Sequence, residues 1–331
     1  MAGGTGARDA VTIGHLMRQA QGALLGALRV SDAEARIEVR MLLCRALGNV
    51  PHAWLIAHEC DAIPPDRQPV FEAVLQRRLA GEPIAYILGE REFFGLTFKV
   101  SPATLIPRPE TELLVEQALL RIPEKFPSPS TPLPRGEGGR QAGRGVGRGR
   151  NFRLLDMGAG CGAIALAIAR SRPDVEVLAC DNSAAALEVA RENAQRLGVA
   201  NAAFIQSDWY AALGAQRFNL IVSNPPYIAA NDPHLAHGDL RFEPSSALAS
   251  GGDGRNDIRH IVAHAQAHLE PGGWLLLEHG YDQAAQVRQL LRQAGLAEVF
   301  SARDLAGIER ISGGYAMAKS PAMNLRIDAT L

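Results

Sequence analysis

Cysteine is scarce in this chain: Cys44, Cys60, Cys161 and Cys180 are the only four in 331 residues, with no C-x-x-C pair. That density excludes a disulfide framework and predicts reduced thiols. No apolar run approaches the length needed to span a bilayer, and the stretch Met1–Arg8 lacks a signal-peptide core. A cytoplasmic enzyme with no membrane partner is the expectation. Aromatic residues make up only 5%, and the formal net charge is −1. Even that balance hides an imbalance. Residues 127–150 hold five arginines against one glutamate, a net of +4, which leaves −5 for the rest. A mildly acidic body without a basic or aromatic-rich recognition segment lacks the footprint of a protein that grips a phosphate backbone, so no direct nucleic-acid partner is expected.

Hydrophobic residues, by contrast, reach 47%, ample for a core, and the length exceeds one average domain. Ser31-Asp32-Ala33-Glu34 reads as a capping box ahead of an apolar-periodic stretch through Leu47. Helical patterns also cover Val11–Leu28 and Arg67–Leu79, so a small helical domain is predicted over residues 1–82. A connector follows over 83–122, with a hairpin around Phe93–Val100. Residues 123–150 are Pro-rich and then Gly/Arg-rich, and their composition predicts a disordered, tolerated insertion rather than an RNA-binding arm. Residues 151–320 alternate strands with helices, including helices over Ala184–Leu197, Asp257–Leu269 and Gln283–Ala294 and strands over Phe218–Ser223, Trp274–Glu278 and Ala297–Ala302, which predicts an α/β domain on a mainly parallel sheet. The stretch 321–331 reads as a flexible tail.

The chemistry sits at the strand ends. Leu154-Leu155-Asp156-Met157 runs into Gly158-Ala159-Gly160-Cys161-Gly162 and then an alanine-rich helix. Glycines permit close backbone approach, and the helix start offers unpaired N–H groups to a ligand. A second strand ends at Asp181, placed to accept from ribose hydroxyls. Gly158, Gly160 and Ala163 also satisfy the dinucleotide fingerprint. Two features favour S-adenosylmethionine instead: Asp156 is placed to take a methionine amino group, and Asp208-Trp209, ending a third strand, offer an acceptor and a cover for adenine. Ending a fourth strand, Asn224-Pro225-Pro226-Tyr227 sets carbonyl acceptors beside an aromatic face. That suits a planar –NH2 group: Asn224 Oδ1 and the Pro225 carbonyl take its two hydrogens, and Tyr227 covers one side. The expected cofactor contacts are Gly158, Ala159, Gly160, Cys161, Gly162, Asp181, Asp208, Trp209 and Asn224. Asn224, Pro225, Pro226 and Tyr227 are the expected catalytic and substrate-binding residues.

With these motifs in this order, the chain resembles the class I methyltransferases that modify an amino nitrogen. More closely, it is similar to the bacterial peptide chain release factor glutamine N5-methyltransferases. The closer likeness rests on Gly81–Gly89, Phe93-Phe94-Gly95, Leu105–Glu112, Arg241-Phe242-Glu243-Pro244 and Leu276–Gly280. The resemblance implies a Rossmann-like domain with a mainly parallel seven-stranded sheet, a small helical N-terminal domain that helps seat a protein substrate, and an antiparallel last strand. It implies S-adenosyl-L-methionine as cofactor and, as substrate, the glutamine of a Gly-Gly-Gln loop in peptide chain release factors. The catalytic motif leaves open a ribosomal-protein glutamine and an N6-adenine or N4-cytosine base. A non-enzymatic S-adenosylmethionine sensor gives no reason for an intact Asn224–Tyr227 motif.

Several residues invite other readings. His260, His264 and His268 share a helix face, but no glutamate of an H-E-x-x-H motif accompanies them, and no metal is expected. His279 ends a strand as a weak candidate for a base. Glu110 and Glu112 read equally as helix-start charges and as shapers of a substrate pocket. Cys161 reads as a small filler.

Overall fold

The computed structural model describes residues 11–124 and 152–317; the predicted insertion from residue 125 on and the predicted tail lie outside the described residues. The chain divides into two compact units, the first comprising 1–91 with 100–102 and 233–243, the second the remainder.

The first unit is helical: α1 (Ile13–Ala27), α2 (Asp32–Ala46), α3 (His52–Ala57), α4 (Gln68–Leu79) and α5 (Ile84–Leu88). The capping box forms as the sequence predicts. Ser31 Oγ accepts from Glu34 N–H, and Glu34 Oε2 accepts from Ser31 N–H at 2.7 Å. Along α2, Ala35, Val39, Leu42, Leu43 and Ala46 recur at helical spacing and are buried with Ile13, Leu24, Leu55 and Phe71 in one core. Arg78 runs under this unit, forked onto Glu38 at 2.8 and 3.0 Å.

The hairpin consists of β1 (Glu90–Phe93) and β2 (Leu96–Lys99), starting three residues earlier than Phe93–Val100 because Phe93 closes the first strand and Phe94-Gly95 form the turn. A 3-10 turn at Pro109–Thr111 leads into α6 (Glu112–Leu119).

The second unit carries the predicted α/β fold. Its strands are β3 (Arg153–Met157), β4 (Glu176–Asp181), β5 (Ala202–Gln206), β6 (Phe218–Ser223), β7 (Leu269–Glu278), β8 (Leu296–Arg303) and β9 (Glu309–Ala316). They form a seven-stranded sheet in the order β5-β4-β3-β6-β7-β9-β8. All pairings from β5 to β7 are parallel, and β9 runs antiparallel to both its neighbours. The Rossmann-like architecture is therefore present, with the order reversing between β3 and β6. Helices α7 (Ala163–Ser171), α8 (Ala184–Leu197), α9 (Asn256–His268) and α10 (Ala284–Gln293) cover the sheet. The pleat sorts the core. Leu155, Met157, Ile221, Leu275 and Leu277 face one side with Ile258, Ile261, Val287 and Leu291 of α9 and α10. Leu154, Asp156, Leu220 and Leu276 face the other. Among the described residues no helix is long and apolar enough to cross a membrane.

Candidate active site

A switch in strand order opens a crevice beyond the carboxyl ends of the flanking strands, where ligands of such sheets bind. Four strands deliver their end residues there. Register makes this possible: Met157 of β3 is level with Cys180 of β4 and with Ser223 of β6, so the three chains leave the sheet together.

The glycine loop is folded over the end of β4. Gly158 N–H and Ala159 N–H both donate to the Cys180 carbonyl at 2.9 Å. Asp181 then binds the loop from below, its Oδ2 accepting from Gly160 N–H and its Oδ1 from Ser183 N–H, each at 2.9 Å. Each carboxylate oxygen keeps a lone pair for a further donor. Gly158 adopts φ +77°, and a Cβ built there would lie 3.8 Å from the Asn224 carbonyl and 3.9 Å from Trp209 Cζ3. Loop, Trp209 and Asn224 thus meet around one point. Trp209 itself has φ +47°, uncommon for a bulky side chain. Ser207 Oγ donates to its carbonyl at 2.8 Å and holds the bend.

The cavity enclosed here is lined by Gly158, Gly160, Asp181, Asp208, Trp209 and Asn224, with Pro226 at its edge. Ala159, Cys161 and Gly162 do not line it. Cys161 is buried and its carbonyl accepts from Asn193 Nδ2 at 2.9 Å; burial pushes its thiol up to about 12, as befits a filler. Gly162 caps α7 at φ +84°, where a Cβ would come within 3.2 Å of Ala190, so this glycine serves close helix packing. Asp156 does not line the cavity either. Alternation along β3 turns it with Leu154 toward α7, where Oδ2 accepts from Ala165 N–H at 3.0 Å and Oδ1 is buried without a partner among the described residues. Burial raises its carboxyl to about 7, against the opposing Ala165 N–H.

At the end of β6, Ser223 Oγ donates to the Met157 carbonyl at 2.7 Å and ties the two strand ends together. Asn224 follows, with Nδ2 donating to Thr111 Oγ1 at 3.1 Å and Oδ1 buried without a partner among the described residues. Pro225 is buried, and no described residue donates to its carbonyl. Tyr227 turns its hydroxyl onto Glu278 Oε1 at 3.3 Å, and its carbonyl accepts from Gln283 Nε2 at 3.0 Å. Pro225 and Tyr227 do not line this cavity.

Thr111 and Glu278 have no signal of their own in the sequence beyond their place in the Leu105–Glu112 and Leu276–Gly280 motifs. Glu278 is 2% exposed; burial pushes its carboxyl up to about 7, while the Thr111 and Tyr227 hydroxyls pull it down. Glu112 supports the hairpin turn, accepting from Phe94 N–H at 2.8 Å. His279 is buried, with Nδ1 3.0 Å from the Gly280 carbonyl and Nε2 2.8 Å from Ser312 Oγ. Burial lowers its pKa, and its ring bridges strand ends. His268 stacks on Tyr210 at 4.5 Å, and no cluster that could hold a metal exists among the described residues.

Comparison with known proteins follows the same lines. Residues 148–255 match the model of the Methyltransferase small domain, and residues 16–89 match the PrmC N-terminal domain. A release factor glutamine methyltransferase of Bordetella pertussis is 50% identical over 88% of this chain and 99% of its own. One of Burkholderia pseudomallei is 50% identical over 87% and 94%. A solved protein-(glutamine-N5) methyltransferase (release factor-specific) of Alicyclobacillus acidocaldarius is 29% identical, covering 67% of this chain and all of its own, with a TM-score of 0.36.

Proposed function

The chain belongs to the release factor glutamine methyltransferase family, and on that premise we propose that it methylates the side-chain amide nitrogen, N5, of the glutamine in the Gly-Gly-Gln motif of peptide chain release factors. The observation that carries the reading is the Asn224 amide: its nitrogen is engaged by Thr111 while its oxygen is a buried acceptor without a partner. A buried acceptor left unpaired costs about 1–3 kcal/mol, a cost that a substrate N–H relieves.

The residues around the cavity fit S-adenosyl-L-methionine. Asp181 retains lone pairs for ribose hydroxyls, Asp208 offers an acceptor for the adenine amino group, Trp209 supplies a ring face, and Gly158 and Gly160 leave the floor free of side chains. When bound, this cofactor supplies an electrophilic methyl group on a sulfonium whose thioether is a good leaving group. The protein must then solve a problem of the acceptor. An amide nitrogen is a poor nucleophile because its lone pair is delocalised into its carbonyl. Asn224 Oδ1 and the Pro225 carbonyl accept the two amide hydrogens, which fixes the plane of the group and aims the nitrogen. Tyr227, whose hydroxyl donates to Glu278, restricts the planar group from one side. Positioning and electrostatics of this kind can carry much of the barrier. No residue here is required as a metal ligand.

The helical N-terminal domain, 1–82, is assigned to recognition of the protein substrate, and 151–320 to catalysis. Release factor as substrate fits a cytoplasmic enzyme, and neither a membrane nor a direct nucleic-acid partner is proposed. The experiment is labelled-methyl transfer with release factor, ribosomal protein and DNA offered separately. Label on release factor alone, lost when its Gly-Gly-Gln glutamine is replaced, is the expected result; label on DNA or ribosomal protein instead overturns the assignment.

A further inference from the structure

An asparagine amide has two ends of nearly equal shape and opposite hydrogen-bonding sense. If Asn224 is to accept from a substrate N–H, something must stop it from presenting its own –NH2, which would set donor against donor. In the structure Nδ2 is 3.1 Å from Thr111 Oγ1. A threonine hydroxyl both donates and accepts, so it fixes that orientation only if its own proton is committed elsewhere. The carboxyl of Glu278 stands beside it. It takes the Tyr227 hydroxyl on Oε1 at 3.3 Å, and Oε2 is buried without a hydrogen-bond partner among the described residues. No described residue takes the Thr111 hydroxyl proton, and that hydroxyl is one of the groups that pull the Glu278 carboxyl down. Thr111 is 4% exposed and Glu278 2%, so water does not substitute for either partner.

We propose that Thr111 and Glu278 are positioning residues. Glu278 accepts from the hydroxyls of Thr111 and Tyr227, the Thr111 oxygen is thereby left to accept from Asn224 Nδ2, and Asn224 Oδ1 is the end offered to the substrate amide. One carboxyl so fixes both ends of Asn224-Pro225-Pro226-Tyr227, reaching it from the start of α6 and the end of β7. The proposal rests on the reading of Asn224 as substrate acceptor and specifies what makes that acceptor face the right way.

The test is single-turnover methyl transfer to a release factor, with S-adenosylmethionine affinity measured in parallel, in full-length Thr111→Val, Thr111→Ser, Glu278→Gln and Asn224→Ala. Thr111→Val keeps the shape and removes the hydroxyl; a rate loss of about 10- to 100-fold is expected, with cofactor affinity within about twofold of the parent. Thr111→Ser restores the rate to within a few-fold, because it restores the hydroxyl. Glu278→Gln replaces one carboxyl oxygen by an –NH2 donor, which cannot accept from the hydroxyl on that side, and slows transfer comparably. In an Asn224→Ala background, Thr111→Val costs nothing further, since the residue acts through Asn224. Parent-like rates in Thr111→Val and Glu278→Gln, with Asn224→Ala slow, overturn this proposal and leave the role of Asn224 standing. Parent-like transfer by Asn224→Ala overturns that role itself. Serine as slow as valine shows that the threonine methyl, not its hydroxyl, matters and also overturns the proposal. Should Thr111→Val not fold, Glu278→Gln decides, read by the same split between rate and cofactor affinity.

Discussion

On the proposed function Asn224 faces the substrate and Asp181 the cofactor, and their substitutions separate along that line. Replacing Asn224 by alanine removes one acceptor and leaves a substrate donor unpaired, a loss of about 2–5 kcal/mol in the transition state. The expected rate is roughly 30- to several-thousand-fold lower. Cofactor affinity falls much less, because Asp181 and the glycine loop remain; an equal fall in a calorimetric titration would recast Asn224 as a cofactor ligand. Asp181→Ala has the opposite signature. It loses contacts to the ribose worth about 1.5–3 kcal/mol each, and it also releases the Gly160 N–H that shapes the loop. S-adenosylmethionine affinity therefore drops, and unchanged affinity would show that Asp181 does not meet the ribose. The place of both residues at the cavity was legible in the sequence because each directly follows or closes an apolar strand run. Their supports were not. Thr111 lies 113 residues from Asn224 and Glu278 lies 51 from Tyr227, and no local pattern announces a hydrogen bond across such distances. Asp156 was placed by its adjacency to the glycines alone; the pleat turns its side chain with Leu154 toward α7, where Oδ1 is left without a partner among the described residues.

At the scale of elements, the sequence is legible where the periodicity is strong. Helix α8 and strand β6 match the predicted bounds residue for residue. Strand β7 instead begins five residues before the predicted Trp274, because Glu270-Pro271-Gly272-Gly273 reads as a turn, yet Leu269 pairs with Phe218 across a bulge. Short helices α3 and α5 carried too few turns to show a period. That β9 lies between β7 and β8 follows from packing of Ile311 and Ala316 into the sheet, not from any local signal. The capping box offers a clean test of the local reasoning. Ser31→Ala deletes the acceptor for Glu34 N–H and should lower stability by about 0.5–2 kcal/mol, read as a shift in the urea midpoint of the helical unit. Methyl transfer at saturating substrate, below that midpoint, should stay at the parent rate. An unchanged midpoint would mean that water replaces the cap at no cost.

For the molecule as a whole, two buried carboxyls on one face of the sheet couple folding to pH. Burial raises Asp156 to about 7 from an ordinary 3.8, opposed by the Ala165 N–H and reinforced by Asp181. Burial likewise raises Glu278 to about 7 from 4.5, opposed by the Thr111 and Tyr227 hydroxyls and by Arg310. The folded chain therefore holds protons that the unfolded chain has released between about pH 4 and pH 7. Unfolding in that window gives up protons, so stability falls as pH rises through it and levels off above about 7, by at most about 1.4 kcal/mol per pH unit for each group. His279 works in the other direction, since its lowered pKa gains stability as pH rises toward 6.5, but it is one group against two. Asp156→Asn isolates the effect, because the amide oxygen can keep the Ala165 N–H while nothing titrates. Urea midpoints of parent and variant between pH 5 and pH 7.5 provide the measurement: the parent should lose stability across the range and the variant should lose distinctly less. Parallel curves would mean that Asp156 is already ionised in the folded chain at pH 5. Its buried Oδ1 would then have to be served by a donor that reaches beneath the glycine loop, and replacing Asp156 would weaken the cofactor site along with the fold.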